Sequence, residues 1–273
     1  MAALVKAKAR HVGVFDASGK EDLRCLVVAG FVSSSKDWQL FHEAWMNRLA
    51  TEGLEYFHMS EFAHSTRQFK HGWKGEKIKR DRLFGDLVGI IQSHAYRSFA
   101  CTVEYEDFFR LSVENQKEFS MTAYSLAGRT CIKHVSDWKK REPGLSMVPT
   151  GYVFEEGDEG ASQLSGRMWK DGYPRPHFLP KKDRVDKGGN PVNAYTPLQA
   201  ADVLAYEIFR LHHDRFDPNP RFLREANRRW GIKAFWNFPG SSEWGFYSPK
   251  DLDNLNAKFT SRSEDLKARA VRE

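Results

Sequence analysis

Acidic side chains stand at three places in the sequence where they could do chemistry. Asp16 closes the first apolar run, VGVF. Glu155 and Glu156 follow a second run, GYVF, and Asp202 lies within the apolar stripe of a late amphipathic segment. If these segments meet at one edge of a sheet, their carboxylates supply the hard oxygen ligands that Mg²⁺ or Mn²⁺ prefers. Two such ions would activate a water and stabilise the leaving oxygen in phosphodiester cleavage.

Each of these acids also has an ordinary structural explanation. Asp-x-Ser-Gly is typical of a hairpin turn, which would account for Asp16. Acids just before a helix commonly act as N-caps or interact with the helix dipole, and this role suits Asp158 and Glu159 better than Glu155 or Glu156. Periodicity does not choose between Glu155 and Glu156, because either could continue the strand face that carries the helix.

The late segment AYTPLQAADVLAYEIF has the clearest register. Thr196 suits an N-cap, Pro197 the first helical position and Gln199 the partner in a capping box. The residues that share a face with Asp202 are spaced by four, three and four along the helix: Leu198, Asp202, Ala205 and Phe209. A carboxylate on that face needs a cation, hydrogen-bond donors or a cleft, because burying it unpaired is costly. The alternative is that Asp202 lies at the stripe's edge, solvated or paired with an arginine.

The hydrophobic pattern predicts the elements that position these acids. We expect strands at 11–16, about 23–33, 96–105, 151–155 and near 177–180, with a short strand or extended segment at 54–62. Helices are predicted at about 36–49, 78–95, 117–140, 160–171 and 197–213, and a charged tail, helical or frayed, from 251. The long polar loop 181–195 is of a kind that is usually functional. This order predicts an α/β fold with a mixed sheet, formed as a single domain over residues 1–273.

Composition narrows the class of protein. The chain has 273 residues, a net charge of +6 and 41% hydrophobic residues. No apolar run approaches the roughly 18 residues that cross a bilayer. Lysines and arginines interrupt the N-terminal residues, unlike a signal peptide, so we expect a cytoplasmic protein without a membrane partner. Three widely separated cysteines lack metal-ligand spacing, which disfavours Zn²⁺.

Three motifs resemble the domain of unknown function family 3800, whose members resemble ribonuclease H-like proteins. FDASG (15–19) resembles the family's opening Asp-Glu-Ser-Gly, and FHMSEF (57–62) resembles its Phe-His-Ala-Ser-Glu-like segment. PLQAADVLAY (197–206) resembles its late Leu-Gln-x-Ala-Asp-x-x-Ala-Tyr helix and is the most specific of the three. Their order and separations fit a match over most of residues 11–213.

The resemblance implies a ribonuclease H-like mixed sheet flanked by helices, with helical insertions. The core would cover about 11–213 and a C-terminal extension about 214–273. It also implies that Asp16 and Asp202 are metal ligands and that an acid from 155–158 completes the site. Ala17 departs from the pattern, because the family usually has an acid there, so any role of that acid is absent from this chain. Glu61 and the acids at 155 and 156 are the residues that could compensate.

Other residues are candidates for contacts with substrate. His58 could act as a general acid or contact the substrate, or could simply pack half-buried beside its phenylalanine neighbours. The basic segment, defined as residues 67–82, could hold phosphates through Lys70 and Lys74 while Phe69 and Trp73 stack on bases. A solvated loop and helix face is its ordinary explanation.

The loop 181–195 could close over the substrate. Its candidates for binding substrate are Lys181, Lys182 and Arg184, and Ser18 of the FDASG motif is a further candidate. Two hypotheses follow: a nuclease that uses Mg²⁺ or Mn²⁺ on DNA or RNA, or a catalytically weak or inactive nucleic-acid-binding protein with the same fold.

Overall fold

The computed structural model describes residues 11–20, 23–119, 121–215 and 243–270. The strands are β1 (His11–Gly19), β2 (Cys25–Ser34), β3 (Arg97–Glu104), β4 (Thr150–Glu155), β5 (His177–Leu179), β6 (Arg184–Val185), β7 (Pro191–Val192) and β8 (Glu243–Phe246). The helices are α1 (Ser35–Ala50), α2 (Met59–His64), α3 (Lys77–His94), α4 (Tyr105–Phe108), α5 (Val113–Glu118), α6 (Ala123–Arg141), α7 (Ala161–Lys170), α8 (Pro197–Arg215) and α9 (Pro249–Ala270). A 3₁₀ turn covers Arg67–Phe69.

Within the described residues, six strands form one mixed sheet in the order β5-β4-β1-β2-β3-β8, and β6 pairs with β7 in a separate hairpin. The first three strands form an antiparallel meander. β4 joins the other side of β1 in parallel, β5 joins β4 in parallel, and β8 is parallel to β3. The prediction of an α/β fold with a mixed sheet flanked by helices is confirmed.

Both faces of the sheet are covered by helices. On the first face, Val12 and Val14 of β1 pack with buried side chains of α1, α3 and α8. On the second face, Phe15 of β1 packs with α6, α7 and α9. Because side chains alternate along a strand, neighbouring residues of β1 enter different cores. Whether a strand residue occupies an even or an odd position in β1 therefore decides which set of helices its side chain contacts.

Most predicted elements are present, and three differ. Residues 59–64 form helix α2 rather than an extended segment, with Met59 and Phe62, one helical turn apart, both buried. The predicted helix at 117–140 is divided into α5 and α6, because Thr122 and Ser125 form a capping box that starts α6. The loop 181–195 contains the short hairpin of β6 and β7.

The C-terminal residues take a larger part in the fold than an appended extension would. β8 extends the sheet beside β3, and Leu252 and Phe259 of α9 are buried in the second core. The Phe259 ring stacks on Phe119 with 4.3 Å between centroids. Residues 216–242 of the expected extension lie outside the described residues. In the part of the chain that the structure describes, none of the helices is both long enough and apolar enough to cross a membrane.

Candidate functional site

Two of the predicted acids lie side by side where β4 ends against the middle of β1. The last pair in the register of these parallel strands is Phe15 with Phe154, so Asp16 and Glu155 are the next residues on each strand. Asp16 shares the parity of Val14, and Glu155 shares that of Val153, which places both on the face that packs against α8. Asp16 therefore lies inside the strand, which continues to Gly19, and the hairpin-turn explanation of this residue is wrong.

Helix α8 supplies the third acid. Its small residues Ala201 and Ala205 are fully buried against the sheet, which lets the helix approach closely. Asp202 lies between them on the buried side and is only 6% exposed. The structure thus contradicts the alternative in which Asp202 is solvated at the stripe's edge. Gly19 is required nearby, because its φ of +99° favours glycine and a Cβ would lie 2.1 Å from the Cys25 carbonyl oxygen and 2.9 Å from the Phe209 ring of α8.

Lys181 joins the three acids at one point. Its ammonium nitrogen lies 3.0 Å from Asp16 Oδ2, 2.8 Å from Glu155 Oε2 and 3.1 Å from Asp202 Oδ1. We call Asp16, Glu155 and Asp202 the carboxylate cluster. Its members come from two strands and a helix, and the cation comes from the residues that follow β5. Sequence reasoning selected all four residues but assigned Lys181 to substrate rather than to the centre of the cluster.

Backbone groups fix the remaining oxygens of the two aspartates. The Ala17 N–H donates to Asp16 Oδ1 at 2.7 Å, and the Met59 N–H donates to Asp202 Oδ2 at 2.6 Å. Each aspartate thus keeps one oxygen on the main chain and turns the other toward Lys181. These charge-assisted bonds hold the carboxylates in a fixed orientation before any ligand arrives.

The departure at Ala17 has a structural consequence. The Ala17 side chain packs with the second core, on the sheet face opposite Asp16. A longer acidic side chain at this position would start from the wrong face to join the carboxylate cluster directly. The residue contributes to the site through its backbone N–H, which any amino acid except proline retains.

Burial and neighbouring charges shift the pKa values of the groups in the cluster. Burial raises the pKa of the Asp16 carboxyl, and the charges of Glu155 and Asp202 raise it further while Lys181 opposes them. Burial by itself would lower the pKa of Lys181, but the surrounding acids outweigh it and hold this pKa well above its usual value. If all three acids are ionised, the cluster carries more negative charge than the single ammonium compensates.

His58 lies at the rim of this site. Its Nε2 is 3.8 Å from Asp202 Oδ1 and its Nδ1 is 3.3 Å from Glu61 Oε1. The Glu61 carboxylate also accepts a hydrogen bond from the Tyr56 hydroxyl at 3.0 Å. With its side chain 29% exposed, His58 is positioned between the buried carboxylates and solvent. Glu61 orients His58 and does not enter the cluster itself.

Asp158 is a fourth acid close to the cluster. Burial raises its pKa to about 7, with a further contribution from the charge of Asp16. Its Oδ2 and the hydroxyl oxygen of Tyr124 are both buried, and the two side chains face each other. The residue that caps α7 is Gly160, so the capping role predicted for Asp158 is wrong.

Glu156 does not join the other acids. Its carboxylate is held by the guanidinium of Arg184, with 2.7 Å between Oε2 and Nη2. This pairing is exposed, and it accounts for two of the predicted site residues at once. The structure therefore selects Glu155 over Glu156 for the cluster, which contradicts the metal-ligand role for Glu156.

The other predicted substrate contacts are scattered. Ser18 shares the face of Asp16, two residues further along β1, and Lys182 lies 5.4 Å from the centre of the Tyr56 ring. Lys70 and Lys74 are exposed. Phe69 and Trp73, by contrast, are buried in the first core, so the prediction that their rings stack on bases is wrong.

Gln199 is the residue of this site whose role sequence reasoning missed. Its Oε1 accepts from Trp45 Nε1 and from the Phe57 N–H, both at 2.8 Å, and its Nε2 donates to the Lys181 carbonyl at 2.7 Å. It therefore joins the segment before α2 to the segment after β5, rather than closing a capping box. The available signal was a long amide on the core-facing side of a helix, where an unsatisfied polar group would be costly.

The donor set fits a divalent cation, with one adjustment. Among residues 11–20, 23–119, 121–215 and 243–270, no group of three or more His, Cys, Asp or Glu side chains is already arranged to hold a metal. The cluster is spread around an ammonium at 2.8–3.1 Å, whereas Mg²⁺ needs oxygens at about 2.0–2.1 Å. The carboxylates would have to close in by about 1 Å after Lys181 leaves.

Comparisons with known proteins add no identification. No family model matches the chain, and neither a curated protein nor a solved structure matches it. The resemblance to the domain of unknown function family 3800 therefore stays a prediction based on three motifs.

Proposed function

We propose that this chain is a divalent-metal-dependent nuclease that hydrolyses phosphodiester bonds of DNA or RNA. The observation that carries the proposal is the carboxylate cluster, in which acids from two strands and one helix turn one oxygen each toward a single cation position. Hard oxygen ligands in this number are typical of Mg²⁺ or Mn²⁺ sites, where the ion keeps several waters. Asp16, Glu155 and Asp202 would hold the ion.

The proposal includes a ribonuclease H-like fold. It is supported by the antiparallel meander of β1, β2 and β3, with β4 and β5 added in parallel beyond β1. The position of Asp16 on the first strand, facing a late helix that carries Asp202, is the arrangement that the sequence resemblance implies. Fold alone does not fix the activity, so the site carries the functional argument.

Charge supports a cation other than lysine at this position. The cluster contains three carboxylates and receives one ammonium, which leaves two excess negative charges if all three are ionised. A divalent cation would compensate them better. When bound, it would activate a water and stabilise charge on the leaving oxygen.

Other groups of the chain would orient the carboxylates, contact the substrate and transfer a proton near that ion. The backbone N–H groups of Ala17 and Met59 keep the aspartates turned inward. Lys181 has to leave the centre of the cluster, and its flexible stem lets the ammonium pair instead with a substrate phosphate. His58, at the rim, is placed to pass a proton between the site and solvent.

Calorimetric titration with Mn²⁺ tests the proposal. Asp16→Asn and Asp202→Asn each keep the oxygen that accepts from the backbone and remove the charge. We expect saturable binding by the wild type and at least tenfold weaker binding by both variants, since even outer-shell changes can cost that much. Cleavage of mixed DNA and RNA should be lost in the same variants, with little loss of nucleic-acid binding.

Glu156→Gln is the matched control, because it removes a carboxylate one residue from Glu155 that pairs with Arg184 instead. It should leave Mn²⁺ binding and cleavage unchanged. Thermal unfolding in EDTA checks that all variants fold. Wild-type protein that takes up no Mn²⁺ with or without nucleic acid, or binding indifferent to both aspartate variants, would contradict the metal proposal.

A second candidate is a catalytically weak nucleic-acid-binding protein with the same fold. The observation that favours it is Lys181 itself, which already supplies a cation to all three carboxylates. Under this alternative, Asp16→Asn changes neither metal binding nor nucleic-acid binding appreciably, and no cleavage is measured for the wild type. The same titration therefore separates the two candidates.

A further inference from the structure

A cavity lies beside the carboxylate cluster. It has a volume of about 500 Å³ and is bounded by α1, by the residues before α8 and by Tyr56 and Lys182. This volume is within the roughly 300–1,000 Å³ of pockets that hold small organic ligands. None of the three acids of the cluster lines it, so the cavity and the cluster are separate features.

Two short segments separate the cavity from the cluster. Tyr56 lines the cavity while His58 faces Asp202, and Lys182 lines the cavity while Lys181 enters the cluster. Gln199 lines the cavity and joins the two segments through the Phe57 N–H and the Lys181 carbonyl. The two segments therefore form a wall with the cavity on one side and the cluster on the other. A ligand in the cavity is separated from the cluster only by this wall.

The lining of the cavity combines apolar area with a few polar groups. Trp38, Met46 and Pro197 provide apolar surface, while His42 and Asn193 add polar groups. Two carboxylates, Glu55 and Asp183, also line the cavity, and Asp183 Oδ1 accepts a hydrogen bond from the Ala194 N–H at 2.6 Å. The His42 ring is fixed, because its Nδ1 lies 2.7 Å from the Thr196 hydroxyl. Such a combination suits a planar, polar-edged ring better than a purely aliphatic or a purely ionic ligand.

The mouth of the cavity offers a cation next to an aromatic ring. The Lys182 ammonium lies 5.4 Å from the centre of the Tyr56 ring, and the Lys182 side chain is exposed enough to pair with an anion. A phosphate that pairs with Lys182 would lie close to Lys181, the preceding residue, which contacts the cluster. A ligand with a polar ring in the cavity and a phosphate at its mouth is a nucleotide.

We propose that this cavity binds the base and sugar of one nucleotide, with its phosphate directed toward Lys182 and the carboxylate cluster. The inference rests on the proposed function, because it names which part of the nucleic-acid substrate is held beside the reacting phosphate. The same chemistry would accept a free nucleotide or the terminal nucleotide of a strand.

Binding of nucleoside 5′-monophosphates in EDTA tests this inference without metal or cleavage. Calorimetry and saturation-transfer NMR with the four common monophosphates, their nucleosides and inorganic phosphate are the measurements. We expect at least one monophosphate to saturate below about 1 mM, which corresponds to about −4 kcal/mol. Its nucleoside should bind more weakly and inorganic phosphate should not compete in the same range.

Two variants locate the site. Gln39→Trp places a large ring at the exposed side of α1 that lines the cavity, and should weaken monophosphate and nucleoside binding at least tenfold. Lys182→Ala should weaken the monophosphate about threefold to fivefold, the scale of an exposed ion pair, and leave the nucleoside unchanged. Lys187→Ala, an exposed lysine of the same loop outside the cavity, is the matched control and should change neither.

The outcomes separate this inference from the proposed nuclease activity. Monophosphate binding that Asp16→Asn retains, in a protein without Mn²⁺ uptake, supports the cavity inference and contradicts the nuclease. Metal binding and cleavage without saturable monophosphate or nucleoside binding up to several millimolar overturn the cavity inference alone. Binding that Gln39→Trp leaves unchanged, or that inorganic phosphate reproduces, overturns it as well.

Discussion

The carboxylate cluster and the basic segment 67–82 are both rich in charge, but they are built in opposite ways. The cluster gathers Asp16, Glu155, Lys181 and Asp202 from distant parts of the chain and buries their contacts. The basic segment places its charges close together in sequence, and the structure does not assemble them into one site. Its aromatic residues are in the first core instead.

Several cations of the basic segment already have partners in the protein. The Arg80 guanidinium donates to Ser65 Oγ at 3.1 Å and lies over the Phe62 ring at 4.1 Å. Lys79 lies 4.0 Å from the Trp73 ring and 3.4 Å from Glu52 Oε2. Local charge density therefore partly serves to fix this segment on the core, whereas the acids of the cluster turn toward a single cation position.

Replacing Lys181 should give the largest effect. Lys181→Met keeps most of the stem's volume and removes the cation from two buried aspartates and the partly exposed Glu155. In EDTA at pH 8 we expect the free energy of unfolding to fall by about 3–5 kcal/mol, the usual cost of breaking a buried ion pair. The loss should shrink at pH 5, where the acids take up protons, and urea unfolding at both pH values measures it.

Mn²⁺ and a control sharpen this prediction. If the cluster holds a metal, Mn²⁺ should restore part of the lost stability and bind Lys181→Met more tightly than the wild type, because it no longer competes with the ammonium. Lys187→Met should stay within about 0.5 kcal/mol of the wild type, as expected for an exposed side chain. A Lys181→Met protein as stable as this control would show that the ammonium does not stabilise the cluster.

The fold was largely predictable because local patterns determined it. The apolar runs of β1, β2 and β3 are buried almost throughout, and the register of α8 placed Asp202 on the buried face. Helix α2 was missed because its stability depends on tertiary contacts, among them the bond from Met59 N to Asp202. β8 was missed because it is short and pairs with a strand far away in sequence.

The sequence predicted which residue types form the site, but not which of these residues contact each other. Val153 and Phe154 are both fully buried, in different cores, so the apolar pattern of β4 carried no information about which face meets α8. The choice of Glu155 over Glu156 needed the register with β1. Lys181 belongs to an irregular loop, whose direction periodicity cannot predict, and its place in the cluster became visible only in three dimensions.

Asp158→Asn should give a smaller effect with a distinctive dependence on pH. The folded pKa of Asp158 is raised to about 7 from an ordinary value of 3.8, so the folded state binds the proton more tightly. The resulting stabilisation is fully present below about pH 4 and is lost as the pH rises through 7. Asparagine stays neutral, so the variant should be more stable than the wild type at pH 8.

The expected gain at pH 8 is about 1–3 kcal/mol, measured by urea unfolding across pH 4 to 8. It should decline toward zero at pH 4, where the wild-type carboxyl is protonated. Glu159→Gln, which removes an exposed acid next to it, should show no such profile. A gain that is the same at pH 4 and pH 8 would mean that ionisation of Asp158 is not the cause.

The basic segment should give the smallest change in stability and a separable change in binding. Lys70→Ala with Lys74→Ala removes two exposed cations, so the free energy of unfolding should change by less than about 0.5 kcal/mol. If both contact phosphates, the slope of log K against log salt for duplex DNA should fall by about 1.8, or 0.9 for each contact. Fluorescence anisotropy over a salt series measures it, with Lys187→Ala as the control. An unchanged slope would mean that this segment only supports the core, and that the cations which meet nucleic acid lie nearer the carboxylate cluster.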